Sequence, residues 1–266
     1  MADTLQALAD PDCGWFYRAD ARGFGVIPGR PVAYWASDSM LSAFARMPAL
    51  SQFATPRQGL ATTDNNRFLR RWWEISKGGL DEGCASRADA ASSGARWFPI
   101  IRGGAFRKWF GTYDEVVDWL DDGREMKREV LRRCPYLKTP DFVIKNQGDY
   151  FKPAVTWSKI SSGDVSFRFA PAGMLFEVAG ACMFADEEAL CIAQGLCNSS
   201  VALQALSILA PTLNYEVGQI TSLPFPRDLR GTEGQVVETV RLLRAISKKD
   251  IDDLEGSRDF TRSSLT

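Results

Sequence analysis

Trp97-Phe-Pro-Ile-Ile-Arg-Gly-Gly-Ala-Phe-Arg-Lys-Trp-Phe-Gly111 sets large aromatics beside Arg102, Arg107 and Lys108, around the pair Gly103-Gly104. Two apolar stretches, 97–101 and 106–110, flank the glycines, the pattern of a β-hairpin turning at residues 102–104. A turn of that kind projects its side chains away from the core. Arg102, Arg107 and Lys108 are therefore expected on an exposed tip, with Trp97, Phe106 and Trp109 packed in the strands. Cations neutralise phosphate, aromatics offer stacking faces and glycines let backbone amides come close, a combination suited to nucleic acid.

Two further segments repeat this chemistry. Gly59-Leu-Ala-Thr-Thr-Asp-Asn-Asn-Arg-Phe-Leu-Arg-Arg-Trp-Trp-Glu74 precedes the run, and Tyr150-Phe-Lys-Pro-Ala-Val-Thr-Trp-Ser-Lys-Ile-Ser-Ser-Gly163 follows it. In the first, Thr62, Asp64, Asn65, Asn66, Arg67 and Arg70 offer hydroxyl, amide and cationic groups to base edges and phosphates, and Asn pairs naturally with adenine. The same residues also fit an Asp/Asn-rich turn that satisfies its own backbone. In the second, Lys152, Ser158 and Lys159 are candidate DNA contacts, and Trp157 reads as packing.

Taken in order, the three segments resemble the C-terminal target-recognition region of PglX-type adenine-specific DNA methyltransferases of BREX phage-defence systems. The family patterns are G-L-x-T-G-D-N-x-R-F-x-R-x-W, K-G-G-x-F-R-K-W-x-G and Y-F-K-x-x-x-T-W-S-x-I-S-S. The likeness continues through Val116-Val-Asp-Trp119, Asn198-Ser199, Pro211-Thr-Leu-Asn-Tyr215 and Ser257-Arg-Asp-Phe260, so it covers nearly everything from Ile27 onward. It implies a restriction-modification or phage-defence role with double-stranded DNA as partner. The contacts implied are Thr62, Asp64, Asn65, Asn66, Arg67, Arg70, Arg102, Gly103, Gly104, Arg107, Lys108, Lys152, Ser158 and Lys159. Where the family has Gly after the first Thr, this chain has Thr63, which puts a turn needing positive φ in question.

The family's S-adenosylmethionine loop and its Asn/Asp-Pro-Pro-Tyr/Phe catalytic loop have no counterpart in the sequence. The expectation is a recognition half without its catalytic half: no cofactor in this chain, no methyl transfer by it alone, and a methyltransferase catalytic domain or other defence subunit as a possible partner.

The 266 residues carry a net charge of −1 and are 45% hydrophobic, enough for a sizeable core and too neutral to coat nucleic acid indiscriminately. Yet residues 56–108 hold a cationic surplus, including Arg57, Arg67, Arg70, Arg71, Lys77, Arg87 and Arg96 besides the central run. With no His, histidine-dependent catalysis is excluded. The six cysteines form no Cys-x-x-Cys pair, which argues against zinc, and Cys182, Cys191 and Cys197 read as reduced core residues. No signal peptide is evident, so the expected compartment is cytoplasmic. The uncharged stretch 189–215 is read as two buried helices broken near Asn198.

The expected fold is α+β, a twisted, mixed and partly antiparallel sheet with packed helices, like a DNA target-recognition domain. A flanking segment (1–55), a recognition domain (56–228) and a helical tail (229–266) are expected. Strands are expected at 32–35, near 68–75, and at 141–145, 154–160, 165–169, 174–178 and 219–226. Helices are expected at 38–47 with Asp38 as cap, 114–120, 124–133, 186–197, 199–209, 233–247 and 250–255, and 78–94 is read as a mobile loop. Two other functions stay open. One is a protein-interaction module that docks a DNA-modifying partner. The other is a metal-dependent nuclease using Asp118 or Asp121 with Glu125 and Lys127, although such nucleases place these groups on adjacent strands and here they fall on helical patterns.

Overall fold

The computed structural model describes residues 2–10, 12–14 and 16–261. After α1 (Ala2–Ala9) and α2 (Ala21–Phe24), Ser37 rather than Asp38 caps α3 (Asp38–Arg46), its hydroxyl accepting the Met40 amide at 3.3 Å. The chain continues through β1 (Thr55–Arg57), α4 (Asn65–Phe68), β2 (Leu69–Arg71), α5 (Arg87–Ser93), β3 (Trp97–Ile101), β4 (Trp109–Phe110) and β5 (Glu115–Asp118). Then come α6 (Leu120–Arg133), β6 (Ala154–Ser158), β7 (Phe167–Ala170), β8 (Leu175–Phe176) and β9 (Gly180–Phe184). Four helices follow: α7 (Glu187–Cys197), α8 (Ser200–Leu209), α9 (Val217–Thr221) and α10 (Glu233–Asp252).

The architecture is α+β, with two mixed sheets. One runs β1-β9-β6-β7-β4, antiparallel except where β4 joins β7; the other runs β2-β5-β3-β8, antiparallel except where β8 joins β3. The four-stranded sheet shares a core with α5 and α6 through Phe98, Val117, Trp119, Met126 and Val130. The five-stranded sheet packs Val155, Trp157, Phe167 and Met183 against Leu190, Leu206 and Ile220 of α7, α8 and α9, with Ile27, Met40 and Leu50 from the N-terminal segment. Helix α10 lies on α7 through Val237, Val240 and Cys191.

The expected hairpin does not form. β3 and β4 enter different sheets, because β3 finds its partners in β5 and β8, and β4 finds its partner in β7. Residues 114–120 begin as strand β5 rather than helix, since β-branched Val116 and Val117 fill the buried middle of a strand between β2 and β3. The loop expected at 78–94 holds α5, capped by Ser86 and anchored by buried Ala90. The strand expected at 219–226 gives way to α9, whose start is closed by a reciprocal capping box between Glu216 and Gln219. Residues 32–35 and 141–145 form turns and a 3-10 helix instead of strands, 68–75 holds strand only over β2, and the last two expected helices are the single α10. Strand β9 has no counterpart among the expected strands.

The break near Asn198 is borne out: α7 and α8 meet at 74°, and among the described residues no single helix is long and apolar enough to cross a membrane. Cys182, Cys191 and Cys197 are buried and unbridged, and burial pushes the Cys182 and Cys197 thiols up to about 12.

Candidate nucleic-acid interface

Residues 62–66 turn into α4, and the turn is held from below. The Thr62 hydroxyl donates to Asn65 Oδ1, and Asp64 accepts the Arg67 amide at 3.1 Å as N-cap. From α6, Arg133 donates to the Thr63 carbonyl at 2.6 Å and to the Asp64 carboxylate at 2.7 Å. Arg133 is itself paired with Glu129, which Arg132 and Arg133 together hold down to about 2. Thr62 and Asp64 are thus engaged inward. Asn65 and Asn66 are exposed, and the Asn65 Nδ2 and the whole Asn66 side-chain amide make no hydrogen bond within the described residues. Among the predicted contacts of this turn, these two leave amide groups exposed and unbonded within the described residues.

Thr63 adopts φ 59°, so the turn keeps its left-handed residue although a β-branched side chain occupies it. That conformation costs an L-residue roughly 1–2 kcal/mol, offset in part by the Thr63 hydroxyl donating to the Thr62 carbonyl. Thr63→Gly is expected to raise stability by about 1 kcal/mol in denaturant titration; a variant no more stable than the parent would contradict the strain.

Three contiguous depressions extend from this turn. One of about 380 Å³ is lined by residues 61–66 and Glu177. The next, about 410 Å³, shares Asn65 and Asn66 and adds Arg70, Arg71, Glu74, Arg102 and Glu115. The largest, about 600 Å³, shares Arg71, Arg102 and Glu115 and reaches Gly103, Gly104, Tyr113 and Ile160. Together they form one groove that joins the first and second sequence segments.

Arg102 is not on an exposed tip. Its guanidinium bridges Glu177 at 2.5 Å and Glu115 at 2.9 Å, with its side chain 24% and that of Glu177 8% exposed. Burial acts to lower the Arg102 pKa, but the two carboxylates outweigh it and hold the group above its ordinary value. Gly103 and Gly104 lie against β6: a Cβ on Gly103 would stand 3.1 Å from the Ala179 carbonyl oxygen. Ser158 is buried and is part of this floor. Its hydroxyl accepts from the Gly104 amide and from Arg168 Nη2 and donates to the Gly104 carbonyl, each at 3.0 Å.

The remaining predicted cations are scattered. Arg67 pairs with Glu125 and Glu129, Lys152 with Asp149 and Lys159 with Glu216, while Lys108 donates to the Asn198 carbonyl beneath α10. Arg70 lines the groove and, like Arg107, has no carboxylate partner among the described residues; Arg70 donates to the Asn66 and Leu69 carbonyls. Arg71, which the sequence shows only as part of the cationic surplus, is exposed at the centre of the groove, with long contacts of 3.9 and 4.0 Å to Asp114 and Glu115 and its guanidinium 5.8 Å from the Trp73 ring. Its signal was its place in the Arg-Arg-Trp-Trp run. Trp157 is fully buried, as expected, whereas Phe106 is 55% exposed. The nuclease set does not converge: Asp118 pairs with Arg96, Asp121 with Arg124, Glu125 with Arg67 and Arg128, and Lys127 with Asp122. On the opposite chemical footing, an apolar groove of about 490 Å³ runs between α7 and α10, lined by Trp109, Ile192, Leu196, Leu229, Val236 and Leu243.

No family model matches the chain. Among curated proteins it is 32% identical over 263 residues to the adenine-specific methyltransferase PglX of Lacticaseibacillus casei (strain Zhang), covering 98% of this chain and 21% of that protein. It is 29% identical over 246 residues to the adenine-specific methyltransferase BrxX of Escherichia coli O9:H4 (strain HS), covering 91% of this chain and 18% of that one. The chain spans about a fifth of the length of these relatives. Over nearly all of its own length, it is similar to a partial region of the PglX and BrxX adenine-specific methyltransferases.

Proposed function

We propose that this chain is a DNA-binding, target-recognition portion of an adenine-specific methyltransferase system of phage defence. On this reading it acts in the cytoplasm, alongside a catalytic domain that supplies the S-adenosylmethionine chemistry. The observation that carries the reading is the continuous groove bringing the Asn65-Asn66 amides, Arg70, Arg71 and the Gly103-Gly104 loop onto one face. The similarity to methyltransferases that name adenine as their target supports it.

The groove is not a simple cationic trough, because Glu74, Asp114, Glu115 and Glu177 also line it. Carboxylates repel phosphate but accept hydrogen bonds from the exocyclic amines of cytosine and adenine, so the mixture suits base edges along the floor and phosphates at the margins. Asn65 and Asn66 are the base-reading groups, and Arg70, Arg71 and Arg107 supply phosphate contacts. Replacing Asn65 with Ala is expected to change which duplex is preferred, by roughly 1–3 kcal/mol between sequences. Fluorescence anisotropy against a panel of duplexes reads this out, and an unchanged preference order would remove Asn65 from the reading set.

The docking-module alternative has the apolar α7–α10 groove as its observation. It predicts no salt-dependent binding to duplex DNA.

A further inference from the structure

Arg168 on β7 is a buried cation without a counter-ion. It is 4% exposed, donates from Nη1 to the Ala105 carbonyl at 3.3 Å and from Nη2 to Ser158 Oγ at 3.0 Å, and leaves Nε with no partner. No carboxylate among the described residues lies within ion-pair distance of it. A charge held in this way costs stability unless something compensates it. Burial pushes this guanidinium down from its ordinary value.

What Arg168 does to the loop above it is geometric. It draws the Ala105 carbonyl inward, and through Ser158 the Gly104 carbonyl as well. No cis peptide occurs among the described residues, and in a trans peptide the N–H points opposite to the C=O. The N–H groups of Ala105 and Phe106 therefore face outward, and neither has a hydrogen-bond partner within the described residues. Gly104 makes the close approach possible, since a Cβ there would stand 3.1 Å from Arg168 Nη1. Of the carboxylates near the loop, Glu115 and Glu177 are held by Arg102, and Asp114 in the same depression lies 3.9 Å from Arg71.

We infer that the outward amides of Ala105 and Phe106, backed by the buried guanidinium of Arg168, form a phosphate subsite at the end of the groove that receives one phosphodiester of duplex DNA. The inference rests on the DNA-binding reading. It replaces the side chain of Arg102 with loop backbone as the phosphate contact of this segment. Two amides and a fixed positive charge behind them make the same kind of oxyanion cradle that backbone nests provide elsewhere.

The test uses the 15N-labelled intact chain, titrated separately with inorganic phosphate and with a short duplex, following the amide resonances of residues 105 and 106. Both amides should move downfield, at millimolar phosphate and at far lower duplex concentration. Arg168→Met should abolish the phosphate-induced shifts and weaken duplex binding about tenfold, the size of one charge-assisted hydrogen bond. Arg168→Lys should keep most of both. Should Arg168→Met not fold by circular dichroism, the parent's amide shifts decide alone. Duplex binding that moves neither amide overturns the subsite and leaves the DNA reading standing. Phosphate shifts without duplex binding leave the two amides as an oxyanion cradle but overturn duplex DNA as its ligand, and with it the DNA reading. Shifts that persist unchanged in folded Arg168→Met overturn the role of Arg168.

Discussion

Trp157→Ala should lower the free energy of unfolding by about 3–5 kcal/mol, among the largest single-residue effects in this fold. The indole is fully buried between the five-stranded sheet and α7–α9, in contact distance of the Phe167 ring at 5.9 Å between centroids. Its Nε1 donates to the Tyr215 carbonyl at 2.9 Å, tying the loop before α9 to the centre of β6. Truncation leaves a cavity and an unpaired carbonyl together. In a chain of this size the melting temperature should fall on the order of 10 °C in calorimetry. A fall under about 2 °C would mean that the indole is not the packing centre the structure makes it. Because no part of Trp157 reaches the surface, the variant should still bind DNA wherever it remains folded.

Arg102→Ala should cost roughly 3 kcal/mol, the lower end of what is lost when one partner of a buried ion pair is removed. Sequence reading placed Arg102 on a tip that bears no structural load. In the structure it joins β3 to Glu177 beside β8 and to Glu115 on β5, and its loss strands the buried Glu177 carboxylate. The cycle Arg102→Met, Glu177→Gln and the double variant separates the pair from its surroundings. The double variant should recover most of the stability lost in Arg102→Met. If both single variants melt like the parent, the bridge contributes nothing.

Helices proved legible where a capping residue precedes an apolar run. Asp186 accepts the Ala189 amide and Ser199 accepts the Ala202 amide, so α7 and α8 start where Asp and Ser announce them. The same local rule was present but overlooked for α5, whose Ser86 cap sits in a Gly/Ala/Ser-rich stretch, and for α9, whose Glu216-Val-Gly-Gln219 box lies before a proline exit. Strand pairing was the part not legible. Nothing near 97–111 tells that β3 pairs with residues 175–176 or that β4 pairs with 168–169, contacts more than 50 residues away, and two strands separated by Gly-Gly read locally as a hairpin. The site follows the same division. The Thr62–Asn66 turn and the Gly103-Gly104 loop could be found as local motifs. Glu177 after β8, Arg168 on β7 and Glu115 on β5 come from other strands, and only the assembled sheets bring them together.

Whether the groove binds duplex DNA is tested most directly by a salt titration of that binding. With Arg70 and Arg71 in the groove and Arg107 on the loop beyond Gly104 neutralising about three phosphates, log affinity should fall with log salt at a slope of roughly −3, near 0.9 per phosphate. Replacing Arg70 and Arg71 together with Gln should flatten that slope by about two units while the variant stays folded by circular dichroism. An affinity for duplex DNA that stays constant from low to moderate salt, or that keeps its full slope in the double variant, would contradict the groove as the DNA-binding surface.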